Sequence, residues 1–373
     1  MKMYSPLHEL LSHSPDFTKL PSKKEEKWRF SSLFKYLDKE YQNSPSQIQK
    51  SQIEDKSNFL EVQDGQLISH QLPSSVHIKE HSLICEIEHN PFASLASHSS
   101  AYPLELNIFE NVDLNLYFHY SSDHFLTSNL NIILQDGVTA TIYLYFQEGE
   151  NSFISHANHI KLESKSRLYL SQEKHLSKTA VLISQDCLHL HEKSYLQNFN
   201  LFSQGEYLHH FCKADLHYQS EINISSLLLS SSEQRDIFSC DINHLADQSK
   251  SQVLSKQVIK DKSTCVFDAN TMISKDTNAT QAKQSSHALL LSDTAQIHAK
   301  PHLEIYSDDL SASHGSTVGE LDELAIDYLL SRGISLAKAK EILISAFVHE
   351  VIEGIEVGSH QERVFTALGE RDD

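Results

Sequence analysis

The sequence predicts a mainly β protein, a solenoid of stacked β coils held between helical ends. Three observations carry that prediction. Between about residue 65 and residue 310 the chain is a succession of short apolar or alternating runs separated by polar breaks. No helical pattern of roughly 10–15 residues divides them, which argues against a doubly wound α/β sheet. Next, Cys212, Cys240 and Cys265 lie 28 and 25 residues apart and each opens a short run: Lys213-Ala214-Asp215-Leu216, Asp241-Ile242-Asn243 and Val266-Phe267-Asp268-Ala269. Under β alternation each cysteine and the residue two later share a face. A coil that recurs at this spacing buries its inner face only by stacking on a neighbour, with strands about 4.8 Å apart. Last, the C-terminal segment has the strongest helical period in the chain. A twisted antiparallel sandwich remains the competing architecture for the middle.

In chain order, residues 1–60 read as a helical region. Trp28, Phe30, Leu33 and Phe34 fall at mixed helical spacings, a partly apolar face. The Gln/Ser/Lys-rich stretch from Gln42 to Ser57 reads as a linker. Residues 61–317 form the β core, with strand runs at Asn107–Tyr120, Leu130–Leu134, Thr141–Phe146, His159–Leu162 and Arg167–Leu170. Residues 318–373 are helical again. One helix covers Asp322–Leu330, closed by Arg332-Gly333, where Gly333 suits the left-handed C′ position. Ser335 caps the next, on which Ala339, Ile342, Leu343, Ala346, Phe347, Val351 and Ile355 follow at three- and four-residue spacing.

Composition narrows the function. There are 31 basic and 50 acidic residues, a net charge of −19, which disfavours nucleic acid or anionic lipid as the main partner, since Lys and Arg drive phosphate binding. No apolar run approaches the roughly 20 residues that cross a bilayer, and the N-terminus lacks an apolar signal core. Five cysteines without a C-x-x-C pair disfavour a self-contained zinc or ferredoxin-type site and a disulfide framework alike. A cytoplasmic protein with reduced thiols is expected. Only 10 glycines and 8 prolines are present, against roughly 26 and 19 at average usage. Asn, Asp, Ser or His are therefore expected where turns need positive φ.

Nothing in the chain supplies nucleotide chemistry: there is no G-x-x-x-x-G-K-[ST], no G-x-S-x-G and no H-E-x-x-H. Cys187-Leu188-His189-Leu190-His191 puts three metal-competent side chains on one strand face. Same-face neighbours lie almost 7 Å apart, from a rise of about 3.3 Å per residue, which is wide for one ion, so a solvated face over a leucine-lined core is the favoured reading. Cys212, Cys240 and Cys265 read as small apolar core residues.

Three stretches then resemble one family. Pro301-His302-Leu303-Glu304-Ile305-Tyr306-Ser307-Asp308-Asp309 leads into Ser313-His314-Gly315-Ser316-Thr317-Val318-Gly319, and on through Leu321-Asp322 and Tyr328-Leu329-Leu330-Ser331-Arg332-Gly333-Ile334 to Ala346-Phe347-Val348-His349-Glu350-Val351. Leu289-Leu290-Leu291-Ser292 with Ala295 lies just upstream, and Glu25-Glu26-Lys27-Trp28-Arg29-Phe30-Ser31-Ser32-Leu33 lies near the N-terminus. Together these resemble the SufB/SufD scaffold family of the SUF iron–sulfur assembly system. Two departures stand out. Ala312 occupies the place of a cysteine in the usual Val-Lys-Cys-Ser-His-Gly run, and Phe267-Asp268-Ala269 stands for Phe-Asn-Gly.

The resemblance implies a right-handed parallel β-helix between helical ends, acting as a non-catalytic scaffold subunit. It implies pairing with SufB, a nascent iron–sulfur cluster shared at that interface, and docking of the SufC ATPase, which alone hydrolyses nucleotide. A homodimer in isolation and a reduced flavin in the complex belong to the same expectation. His314 becomes the candidate ligand, because imidazole in place of thiolate weakens the hold on a cluster that must be given away. Tyr328, Arg332, Ile334, Phe347 and Val351 become candidates for ATPase docking. Two other classes compete: an intracellular β-helix enzyme acting on polysaccharide, with an acidic groove doing the work, and a histidine-rich metal store.

Overall fold

The computed structural model describes residues 4–7, 28, 33–42, 58–79, 92, 95, 96, 103–275 and 277–353. From Leu104 onward the chain alternates strand by strand between two facing sheets. The first sheet runs from Val76–Lys79 and Leu104–Ile108 through Phe125–Leu134, Phe153–Leu162, Val181–Leu190, Tyr207–Leu216, Arg235–His244 and Thr264–Ile273 to Gln296–Ile305. The second runs from Gln66–Gln71 and Phe59–Gln63 through Val112–Tyr120, Thr139–Glu148, Arg167–Leu176, Tyr195–Gln204, Glu221–Ser230, Lys250–Ile259 and Thr280–Leu290 to Leu310–Gly319. Successive coils pair in parallel, giving a parallel β-solenoid of about 8 turns. The sandwich alternative is thereby excluded.

Alternation and register together build the interior. Along Val112–Tyr120 the buried residues are Val112, Leu114, Leu116, Phe118 and Tyr120, so that face turns inward. In-register pairing then stacks like on like from coil to coil. Leu116 pairs with Leu144 and Phe118 with Phe146, whose rings stack at 5.4 Å.

The corners explain how so few glycines suffice. Gly137, Lys165, Lys193, Gln219 and Gln248 occupy one corner of successive coils, all at positive φ. Each donates its backbone N–H to a carbonyl of the next coil, at 2.8–3.0 Å: Ser164, Glu192, Tyr218, Asp247 and Asn278 in turn. A bond repeated at every level offsets the cost of a left-handed side-chain residue. The expectation of Asn, Asp, Ser or His here is half right, since Asp123, Asn151, Ser232 and Asp261 fit it while Lys, Gln, Glu148 and Ala279 do not. A buried serine follows the corner in Ser166, Ser194, Ser220 and Ser249. Each hydroxyl donates to the carbonyl three residues back, at 2.7–2.9 Å.

Several expectations change in detail. The Asn107–Tyr120 run is two strands, broken at Phe109–Asn111 where the chain crosses between sheets. Cys212 and Cys240 are register partners, but Cys240 continues to Ala269, and Cys265 pairs with Asp236. The third cysteine therefore lies two inward-facing columns away, beyond the Phe238–Phe267 column, and all three line the core. The helical reading of residues 1–60 and the linker reading of Gln42–Ser57 lie largely outside the described residues. Those that are described there form an antiparallel pair, Tyr4–Pro6 with Glu40–Gln42, and a 3-10 turn at Leu33–Tyr36. Trp28, Tyr36 and Tyr41 bury their rings against the outer face of the first sheet, Trp28 lying 5.4 Å from Phe211 and 5.2 Å from His209.

Beyond the last coil come two helices, α1 (Glu323–Ser331) and α2 (Leu336–Glu353). Gly333 closes α1 at φ +82, as the sequence predicts, whereas Asp322, expected as the first helical residue, is the N-cap instead, its Oδ1 accepting the Leu324 N–H at 2.9 Å. No helix among the described residues is long and apolar enough to cross a membrane.

Candidate functional site

The two ends of the solenoid differ. At the N-terminal end, Gln66–Gln71 lies antiparallel on Phe59–Gln63, and Val76–Lys79 lies antiparallel on Leu104–Ile108. At the C-terminal end, Gln296–Ile305 and Leu310–Gly319 are each the last strand of their sheet. Their outer backbone N–H and C=O groups have no further strand to meet among the described residues.

Register shows which side chains this end presents. Ala299, Pro301, Leu303 and Ile305 continue the columns of Phe267, Ala269, Thr271 and Ile273, which face the interior. On the other sheet Leu310, Ala312, His314, Ser316 and Val318 continue the columns of Thr280, Ala282, Gln284, Ser286 and Ala288. The last coil thus carries core-type side chains with no coil above it among the described residues. Ile305 is 45% exposed and Val318 54% exposed, though each occupies a position that is dry one coil below. His314 sits in the middle of this surface and is exposed. Beneath it the buried Gln284 amide spans the bore, its Nε2 donating to Thr271 Oγ1 at 2.6 Å and to the His302 carbonyl at 3.2 Å. Pro301 is tolerated because an edge strand need not donate outward.

The helix pair divides its candidates in two. Val348, Val351 and Ile352 are buried against Phe199, Leu201, Leu227, Leu229, Leu254 and Val258 on the outer face of the second sheet, with Phe347 half-buried beside them. Lys256 fixes that seat. Its Nζ donates to the Phe347 carbonyl at 2.6 Å, lies 4.9 Å from the Phe347 ring and pairs with Glu350 at 2.8 Å. Phe347 and Val351 are therefore anchors to the solenoid, which corrects their expected place on a docking face; the helix needed somewhere to bury its apolar stripe, and the sheet is there. Tyr328 is 58% exposed beneath the Arg332 guanidinium, 5.2 Å from its ring, and Ile334 is half-buried. Leu324, Leu330, Leu336 and Ile342 are exposed as well. A cavity of about 550 Å³ separates the pair from the solenoid flank, lined by Leu229, Val258, Leu291, Ile326, Leu336 and Ile344 among others.

Cys187, His189 and His191 do not converge. Cys187 is buried with Ala96 and Ala157. His189 Nδ1 lies 3.5 Å from Asp215 Oδ2 on the next coil, and His191 stacks on His217 at 5.4 Å. Leu188 and Leu190 line the core as expected, but the cysteine is covered and not solvated. Among the described residues, no group of three His, Cys, Asp or Glu side chains is placed to hold a metal ion.

The sequence reading misses a charged cluster deep in the bore. Asp186 accepts from Asn158 at 2.9 Å, from Gln172 at 2.5 Å and from Asn198 at 3.1 Å, and His210 Nε2 lies 3.3 Å away. Lys174 donates to Asn200 at 2.8 Å between the Phe146 and Phe202 rings. All are buried. Burial pushes Lys174 down to about 7 and His156 down to about 4. Burial alone would raise Asp186, but His210, Lys174 and the donated hydrogen bonds reverse it and hold the carboxyl well below the usual range. This cluster leaves Gln172 Oε1 without a hydrogen-bond partner, but it lies on coils remote from the open end, and its bonds run between the two sheets, so it serves register between them.

Residues 117–347 match the family model described as the SUF system FeS cluster assembly, SufBD core domain. The chain is 29% identical over 222 residues to the iron–sulfur cluster assembly protein SufD of Escherichia coli, covering 58% of this chain and 49% of that protein. It is 28% identical over 143 residues to SufD of Bacillus subtilis, covering 38% and 33%. With the chloroplastic protein ABCI7 of Arabidopsis thaliana it shares 41% identity over 88 residues, 24% of this chain and 18% of that one. The matches thus span about half or less of these relatives' own length.

Proposed function

The chain belongs to the SufB/SufD family of the SUF iron–sulfur cluster assembly system, and from that premise we propose that it is a scaffold subunit whose open end pairs with SufB. The observation that carries this reading is the last coil, with two unpaired strand edges and core-type side chains around an exposed His314. Free strand edges add a partner's strands, and a flat apolar cross-section left in water invites association. The cluster is cargo, built between the two subunits. His314 contributes an imidazole, whose weaker grip than thiolate suits a product that must leave. With Ala312 in the cysteine's place, this chain offers no thiolate on that strand, so thiolate ligands come from the partner.

The helix pair is read as the seat of the SufC ATPase. Leu324, Tyr328 and Leu330 on α1, with Leu336 and Ile342 on α2, form the exposed apolar surface, while α2 is held to the solenoid by its opposite face. Movement of the ATPase would therefore be passed to the second sheet and along it to the last coil. A reduced flavin, as electron source, belongs to the assembled complex in this reading. Membership of this family leaves the polysaccharide-acting alternative without support.

The test is co-expression of the His314→Ala chain with SufB and SufC. The ternary complex is expected to assemble as before while cluster build-up, read from absorbance and from iron and sulfide content, is lost. Full cluster yield from that variant ends the reading.

A further inference from the structure

Gln284 lies one coil beneath His314 and in register with it, and any role it plays toward that ring rests on the reading of His314 as a cluster ligand. The side chain is 1% exposed. Its orientation is fixed by chemistry: a carbonyl oxygen can only accept, so the nitrogen must face the His302 carbonyl, and Thr271 Oγ1 receives the second N–H. The other end of the amide, Oε1, is then turned away from both. It is buried and has no hydrogen-bond partner, a state that folded proteins rarely leave uncompensated. The in-register residue on the coil above is His314, and a neutral imidazole carries one N–H donor and one lone pair.

We propose that Gln284 is a positioning residue for His314. When a partner covers the open end and removes water, Oε1 accepts the N–H of one ring nitrogen and the other nitrogen is presented outward as the ligand. Ligating imidazoles commonly have their second nitrogen held in this way, which sets the tautomer and the ring's direction. Nothing else at the end of the bore is required for this, because the Thr271 and His302 contacts already aim the amide.

The experiment uses the full chain, selectively labelled with nitrogen-15 at histidine and bound to unlabelled SufB. The His314 signals are assigned by their loss in His314→Gln. In the unsubstituted complex, His314 is expected in a single neutral tautomer, with its two nitrogen shifts widely separated. In Gln284→Leu, which fills the volume but accepts nothing, the two tautomers should average. Gln284→Glu restores an acceptor and should restore the single tautomer. The affinity of the Gln284→Leu complex for ferrous iron should fall roughly 10–100-fold. Averaged tautomers in the unsubstituted complex, or an unchanged single tautomer in Gln284→Leu, overturn the assignment. Failure of the chain to bind SufB, seen by size-exclusion before any spectrum, overturns the end-pairing reading and this assignment with it.

Discussion

At its N-terminal end the solenoid is closed by two strands that run against the grain of the stack, whereas at its C-terminal end the stack stops with core residues showing. Both ends face the same problem, since a β coil has an apolar interior and a backbone edge to satisfy. The antiparallel strands Gln66–Gln71 and Val76–Lys79 solve it within the chain. Leu104 and Leu106 beneath them are dry. Nothing among the described residues does so for Ile305 or Val318. The difference teaches that exposure at one end is not a failure of folding: among the described residues, antiparallel capping strands occur at one end alone.

That contrast can be broken by substitution. Leu106→Ala, in the covered interior, should cost about 2–5 kcal/mol, as large-to-small changes in packed cores do. Ile305→Ala, the equivalent deletion on the open coil, should stay within about 0.5 kcal/mol, like a surface change. Urea melts of the two variants decide it, and similar losses would mean that the open end is already covered in the isolated chain.

The interior between the ends should respond to acid. His156 and His244 are held down to about 4 by burial, so in the folded chain both rings stay neutral well below the ordinary value near 6.5. The unfolded chain takes up those protons first. Their contribution is therefore present above about pH 6.5 and lost as the pH falls toward 4, at about 3 kcal/mol for each ring. A melting temperature that is flat from pH 7 to pH 4.5 would contradict the neutral, buried assignment. His244→Asn should shallow the slope.

The helix pair gives a smaller effect with a sharper split. Val351→Ala should destabilise by about 2 kcal/mol, because its side chain is packed on the second sheet. Tyr328→Ala should leave stability unchanged within about 0.5 kcal/mol and weaken SufC binding, measured by calorimetry. The smallest expected stability change is at Val318→Lys. A charge there should leave the melt of the lone chain as it was and abolish capture of SufB, as charged side chains on free strand edges do.

Much of the fold was readable from the chain. Alternation in Val112–Tyr120 and the closure at Gly333 each state a local rule that tertiary packing then obeys. The bore was not readable, because Gln172, Lys174 and Asp186 are polar residues at inward positions and break the alternation that marks a buried face. Only hydrogen bonds to residues 12–28 apart in sequence, with Asn158, Asn198 and Asn200 among the partners, make them interior. The cysteine spacing misled by two inward-facing columns, whereas the better repeat was a left-handed corner followed by serine: Lys165-Ser166, Lys193-Ser194, Gln219-Ser220 and Gln248-Ser249. The direction of α2 failed for a simpler reason. A periodic stripe says that one face is buried, not against what, so Phe347 and Val351 looked available when the second sheet had already claimed them. Exposure of His314 could not be inferred either, since it depends on where the stack ends.

The corner bonds that pass from each level to the next bear on how such a molecule can change over generations. Since every level is held by the one before and the one after, a whole level could be duplicated or lost without redesigning either terminus. Each such event would lengthen or shorten the barrel by about 4.8 Å and leave the imidazole-bearing rim intact. Reach and recognition can then evolve separately, the first by copying and the second by point substitution.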